Sequence, residues 1–426
     1  MKNKLQLFLC SALAVLCLAC DPDKGSVAPT SDDNSGPPSA PATGAVTPVG
    51  TPEGTPLTAT IGPAGGSIQS ADQRIRISIP AGALTETKTI SVQPLTNQCP
   101  SGTGQAFRLT PHGLTFAKPA TLTFQYDEQD VKGSAPEFLR VAYQNEKGSW
   151  QSPSLKSIDT TAHNVTISTT HFSDWSLFQN VKLTHDQPGS IILDPGGQVN
   201  LKVWGHIDTP SDNTDDLIIP IPVLLDEKYI DSWQVAAEGS LKNTKSSNIN
   251  TYQAPNHIPA RNPVAVSVLL NKTVTIDGRV YRDLRLVSNV FVAPEGISVQ
   301  IDGGAWQTYP GGANLNSTQN VVTGKNGAES ASVSWKGAPE GVFRWTKSTD
   351  VAFNLLQGPM IYQHLYGTKN VQVSGGSLKV DNSNLAWVVG TFTVQPAGWV
   401  RPSTPPNVIG TANIKGVFRM KRIGQQ

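Results

Sequence analysis

Cysteine is nearly absent: there are 4 in 426 residues, and only Cys99 lies beyond the first twenty positions, which hold Cys10, Cys17 and Cys20. A disulfide framework is excluded, so stability has to come from apolar cores. An excess of one charge is missing too, with 33 basic against 32 acidic residues and a formal net charge of +1. Nothing here forms an electrostatic footprint for nucleic acid. The nucleophile elbow G-x-S-x-G, the zinc motif H-E-x-x-H and the phosphate loop are also lacking, since Gly324-Lys325 is followed by Asn326. Catalysis on an external substrate is disfavoured, and no cofactor is expected. His112, His163, His185, His206, His257 and His364 are scattered without ligand spacing, so no metal site is expected and these rings read as solvated or structural. The acidic run 211 to 216 (SDNTDD) offers Asp212, Asp215 and Asp216, but it lacks the central glycine and terminal glutamate of a calcium loop and reads as solvated.

What is present is glycine (38), proline (32) and short alternating runs of Val, Ile, Thr and Ser. Such a composition predicts an all-β chain of tandem β-sandwich domains, and the length suggests about two to four of them.

Residues 1–19 combine Lys2 and Lys4 with an apolar run from Leu5 to Ala19, which reads as a signal peptide. The ending Leu18-Ala19-Cys20 resembles a bacterial lipobox, with Cys17 standing where that motif usually has leucine. The resemblance implies a lipid such as palmitate on Cys20, anchorage to a membrane, and a place in the bacterial cell envelope with the domains outside the cytoplasm. Residues 21–56 contain no aromatic residue and almost nothing large and apolar, so 20–56 reads as a lipidated cysteine followed by a disordered Pro/Gly/Ser/Thr-rich tether. As a coil it would average roughly 35 Å end to end.

Strict alternation over Arg74–Ile79 and Thr121–Tyr126 predicts half-buried strands, IPAGAL (79 to 84) predicts a corner, and 138 to 150 predicts a hairpin turning near Asn145 to Gly148. The glycine pair Gly65-Gly66, the IPAGAL corner, LTPHGLTFAKPATLTF (109 to 124) and TTHFSDWSLF (169 to 178) fall in one order. That order resembles the ZU-five domain, the β-sandwich of ankyrins, netrin receptors and death-domain adaptors, and implies such a sandwich over 57–180.

Residues 181–294 carry strand runs at short spacing: LDPGGQVNLKVWG, IIPIPVLLD, SWQVAAEGSL, NTYQAPNHIPARNPVAVSVLL and RLVSNVFV. They predict a seven-stranded sandwich without an inter-sheet disulfide. Tyr252-Gln253-Ala254-Pro255 followed by Pro263–Val268 resembles bacterial immunoglobulin-like domains. Residues 295–426 form a third β segment holding Trp306, Trp335, Trp345, Trp387 and Trp399. Its two Gly-x-Phe runs, 390–392 and 416–418, resemble the paired closing strands of small β domains in bacterial lipoproteins.

One stretch carries chemistry: His171, Phe172, Ser173 and Asp174 within TTHFSDW. Read as a strand, residues two apart share a face, so the His171 imidazole would flank the Phe172-Ser173 peptide together with the Ser173 hydroxyl. Partial burial would keep the ring neutral, as a general base requires. Some ZU-five domains cut themselves between Phe and Ser of a His-Phe-Ser motif. The resemblance makes Ser173 the nucleophile and His171 the base of an N-to-O acyl shift, which would need backbone strain. The competing reading takes the motif as the closing strand of the fold, with Phe172 and Trp175 in the core and Asp174 solvated. The favoured expectation is a non-enzymatic binding or structural role toward a protein or glycan partner. Self-cleavage is the first alternative, and sugar stacking on exposed tryptophans of the third segment is the second.

Overall fold

The computed structural model describes residues 44–422 apart from 188, 207–208, 212–213, 272, 277–278, 317, 369, 382–385 and 403–407. The leader, Cys20 and the tether as far as residue 43 lie outside the described residues. The described chain is all-β, broken only by the single-turn 3-10 helices Pro136–Phe138 and Glu227–Tyr229. No helix among the described residues is long and apolar enough to cross a membrane.

The first segment contributes β1 (Leu57–Ile61), β2 (Gly66–Gln69), β3 (Ile75–Ile79), β4 (Lys88–Leu95), β5 (Gly102–Thr110) and β6 (Thr115–Gln125). It continues with β7 (Leu139–Gln144), β8 (Trp150–Ser152), β9 (Leu155–Asp159), β10 (Asn164–His171) and β11 (Asp174–Gln179). The alternation expected of a half-buried strand is seen in β3, where Ile75, Ile77 and Ile79 are buried while Arg76 and Ser78 are exposed. One sheet runs β2-β3-β6-β10-β9, and the other runs β1-β4-β5-β11-β7-β8. The predicted hairpin is β7 and β8, and the Asn145 side-chain oxygen accepts from the amides of Lys147 and Ser149 in its turn.

The second sheet is longer than the first segment supplies. The strands Thr214–Ile218 and Thr209–Ser211 continue it beyond β8, extending it to eight strands. The expected strand IIPIPVLLD is thereby divided, with Ile218 ending the added hairpin and only Val223–Leu224 pairing in the second segment. Pro220 and Pro222 have no amide hydrogen to continue a ladder.

Residues 44–56 also depart from the tether expectation. The Ala45 amide donates to Ile219 O at 2.8 Å, Thr47 Oγ1 accepts from Trp150 Nε1 at 2.8 Å, and the Glu53 amide donates to Pro94 O at 2.8 Å. This strap and Ile219 lie against the outer face of the eight-stranded sheet, where Cys99, Ala142, Trp150 and Phe178 form a small second core. Cys99 is a free, buried thiol, and burial pushes its pKa up.

The four quoted motifs of the first segment meet in space. Gly65, at φ +78°, would bring an added Cβ to 2.5 Å from Ile79 O and 2.8 Å from Ala81 N, so the IPAGAL corner can close only on a glycine. The Ala117 amide donates to Ala83 O at 3.0 Å, and the Phe172 amide donates to Leu114 O at 3.0 Å.

In the second segment one sheet holds Ile191–Leu193, Arg285–Val292, Val264–Leu270 and Ile230–Val235. The facing sheet holds Val181–His185, Gln198–Gly205, Ile249–Gln253 and the two-residue strands Ser240–Leu241 and Val223–Leu224. The two short strands exceed the expected seven, as does the separate pair Val274–Ile276 and Arg279–Tyr281. Tyr252 is fully buried, and one continuous core joins the first and second segments from Ile61 to Val292.

The third segment is an eleven-stranded sheet, accompanied by the separate pair Leu365–Tyr366 and Gln372–Val373, that curls until an Ala313–Arg422 bridge links its outer strand to the C-terminal end. Its two Gly-x-Phe runs do pair, in the long strands Trp387–Arg401 and Val408–Lys421. Across that pair Gly390 faces Phe418, Gly416 faces Phe392 and Gly410 faces Trp399, so three aromatic rings lie over three glycines. A small apolar joint of Ile192, Phe291 and Ala293 against Val389 and Val417 couples this sheet to the second segment.

Candidate functional site

β10 and β11 belong to different sheets, so residues 172 and 173 form the corner where the chain crosses from one sheet to the other. The pairing of β10 with β6 shifts register between Thr169 and His171, and the strand ends at His171. Simple alternation therefore stops there, and the shared face expected for His171 and Ser173 does not extend through the corner.

Phe172 is buried, with its ring edge-on to Phe116 at 5.0 Å and 80°. Its amide is bonded to Leu114 O, and its carbonyl accepts from the Gly113 amide at 3.3 Å. Ser173 is buried as well; its hydroxyl donates to Gln144 O on β7 at 2.5 Å, and its carbonyl accepts from the Leu109 amide at 3.0 Å. No hydrogen bond joins the His171 ring to the Ser173 hydroxyl among the described residues.

The imidazole instead lies on aromatics. It stacks on Trp175 at 5.6 Å and 25°, and meets the Tyr143 ring edge-on at 4.6 Å. Tyr143 in turn donates to Asp216 Oδ2 at 2.8 Å, so that aspartate serves the sheet edge. Asp212 lies outside the described residues, and among the described residues no cluster of His, Cys, Asp and Glu has the arrangement of a metal site.

Burial, reinforced by nearby His112, holds the His171 pKa below its ordinary 6.5, although a bond to the Phe172 backbone and the Asp216 charge oppose the shift. An NMR titration of this ring is expected to give a midpoint under 6.5, and a midpoint at or above 6.5 would contradict the burial. The sign for stability follows: the fold prefers the neutral ring. Its contribution is complete above the unfolded value of 6.5 and is lost as pH falls from there through the lower folded value.

Asp174 corrects the sequence reading. It is not a solvated turn residue but a buried one, held in a two-pronged pair by Arg108, Nε to Oδ1 at 2.8 Å and Nη2 to Oδ2 at 2.7 Å. The two residues face each other across β11 and β5. Removing one partner would leave a buried charge uncompensated, so this pair pins the strand that follows the corner.

Chemically, the corner supplies one amide donor, Gly113, to the carbonyl that an acyl shift would attack, and a ring kept in its basic form. The hydroxyl proton, however, is directed at a main-chain carbonyl, which is no base. Among the described residues the left-handed non-glycine residues are Gln73, Ser101, His163, Asp283 and Asp302, none of them in the corner. Gly113 and Gln144 escaped sequence reasoning because they act through backbone atoms, which leave no residue-type signal.

His206 bridges Pro220 O at 2.8 Å and Ser101 Oγ at 3.0 Å, and His364 bonds to the Phe353 and Thr346 backbone. Trp335 and Trp345 are buried, Trp399 lies over Gly410, and the Arg419 guanidinium sits 4.2 Å from the Trp387 ring centre. Trp306 packs against the joint between the second and third segments. A sugar platform needs an open ring face, which Trp335 and Trp345 lack, while Trp306, Trp387 and Trp399 are half-buried. No protein-family model matches the chain, and no curated protein does.

Proposed function

We propose that the chain is a membrane-anchored protein of the bacterial cell envelope, lipidated on Cys20, with a non-enzymatic binding or structural role carried by its β segments. The observation that carries the non-enzymatic part is the Ser173 hydroxyl. It is buried and donates to Gln144 O, with no base in hydrogen-bond contact, so the most reactive-looking motif in the sequence works as a corner of the sandwich. A ZU-five-like identity for the first segment is supported by the mutual contact of the Gly65, IPAGAL, 109–124 and 169–178 stretches, and the immunoglobulin-like identity of the second by its two facing sheets around Tyr252. The anchor is supported by the apolar leader ending in Leu18-Ala19-Cys20.

Metabolic labelling with a radioactive fatty acid tests the anchor. Label is expected in the parent chain and none in Cys20→Ser, and an unlabelled parent would remove the lipid from the proposal. One observation favours a second reading, self-cleavage at Phe172-Ser173: the Gly113 amide already donates to the Phe172 carbonyl. In that case denaturing gels would show two fragments in the parent and one chain in Ser173→Ala.

A further inference from the structure

Residues 99 to 102 form a turn at the entry to β5, closed by the Gly102 amide donating to Cys99 O at 2.8 Å. Pro100 takes its second position, and Ser101 its third with φ +55°. Glycine or asparagine is usual there, because a side chain at positive φ is strained. Ser101 is nevertheless fixed in that conformation, with its carbonyl accepting from the Gln179 amide of β11 at 2.9 Å. The side chain that costs this strain is a half-buried hydroxyl.

That hydroxyl meets an imidazole 105 positions away, with His206 Nε2 at 3.0 Å. His206 follows the strand Gln198–Gly205 of the second segment and is buried, its amide donating to Asn180 O at 3.1 Å and its ring lying edge-on to Phe178 at 5.5 Å. The other ring nitrogen, Nδ1, is 2.8 Å from Pro220 O. A carbonyl oxygen can only accept, so in the neutral ring Nδ1 carries the proton, Nε2 keeps its lone pair, and the Ser101 hydroxyl is the donor. Ser173 shows the opposite arrangement, since its hydroxyl donates to a carbonyl that is no base. At Ser101 a nucleophile, a base and a group that orients the base are bonded in series, the arrangement that activates a serine.

We propose that Ser101 is an acyl-accepting nucleophile, with His206 as its general base and the Pro220 carbonyl fixing the tautomer, and that it takes its acyl group from esters of apolar acids. Ile221, beside Pro220, is 71% exposed, and Val223, paired with the Gly205 that precedes His206, is 44% exposed. Aliphatic side chains thus stand in the open on the segment that holds the imidazole. In the reaction Ser101 Oγ bonds to the acyl carbon and the bond from that carbon to the leaving oxygen breaks. The hydroxyl proton passes through His206 Nε2 to that oxygen, which leaves acyl-Ser101 and an alcohol. This chemistry goes beyond the binding or structural role proposed above, whose non-enzymatic part concerns Ser173, so the two fail separately.

Incubation of the full chain in detergent with p-nitrophenyl butyrate tests it, with nitrophenolate release followed by absorbance and the acylated residue located by peptide mass mapping. A single butyryl group per chain, on Ser101, is expected. Ser101→Gly should abolish it while the chain still folds, because glycine accepts φ +55° without strain. In His206→Gln the rate of acylation should fall about a hundredfold or more. No label on the parent, butyryl groups on lysines with Ser101 free, or a parent-like rate in His206→Gln would overturn the assignment.

Discussion

Phe172→Ala is expected to destabilise the joined first and second segments by about 3–5 kcal/mol, the range for deleting a fully buried aromatic ring. The site is poorly able to collapse around the missing ring. The Phe172 amide and carbonyl are both fixed to the Leu114–Gly113 backbone, and the neighbouring Phe116 meets the ring edge-on, so an alanine there leaves a cavity. The residue is also the crossing point between the two sheets, with β10 behind it and the fully buried β11 ahead of it. Urea unfolding followed by tryptophan fluorescence measures the loss. A change under about 1 kcal/mol would mean that the corner is not part of the core.

Gly416→Ala should be nearly as costly although it adds a single methyl group. An added Cβ would stand 1.9 Å from Phe392 Cζ, and that ring is buried at the centre of the third segment. Phe392 has little room to move, since it packs on Phe353 at 5.3 Å and edge-on to Trp345 at 6.4 Å. Accommodating the methyl therefore shifts the aromatic cluster or parts the long hairpin. A loss of about 3 kcal/mol, the upper part of the overpacking range, is expected in the unfolding of the third segment. Gly303→Ala is the control, because nothing lies within 4 Å of its added Cβ, although its φ of +75° carries a small backbone cost. Equal stability of Gly416→Ala and the parent would contradict the ring-over-glycine packing.

Both effects bear on how much of this molecule its sequence reveals. The strands expected over 74–79 and 121–126 and the 145–148 turn follow from local pattern, because side-chain period and turn residues are written in neighbouring positions, whereas the pairing of the Gly-x-Phe runs was expected from resemblance alone. The strap at 44–56 is invisible to that logic. Its composition is that of a linker, and much of what holds it is backbone hydrogen bonding, which leaves no compositional trace. The hairpin at 209–218 likewise extends a sheet begun more than a hundred positions earlier, a non-local pairing that no window of sequence contains.

The candidate site divides in the same way. That TTHFSDW ends a strand with Phe172 and Trp175 in the core was legible from its aromatics. The partner of Asp174 was not, because Arg108 is 66 residues away in the chain and adjacent only through the β5–β11 register. The expected His171 to Ser173 contact failed for a local reason: β10 ends at His171, so its two-residue period does not carry through the corner to Ser173. The imidazole lies on Trp175 and Tyr143 instead.

Whether the corner is architecture or chemistry comes down to one peptide bond, and the intact mass of the freshly purified, denatured chain reads it directly. A single species that retains the Phe172-Ser173 bond is predicted, with the same fragmentation-free result in Ser173→Ala. Two species, one ending at Phe172 and one beginning at Ser173, both absent from Ser173→Ala, would contradict a purely structural role for His171-Phe172-Ser173.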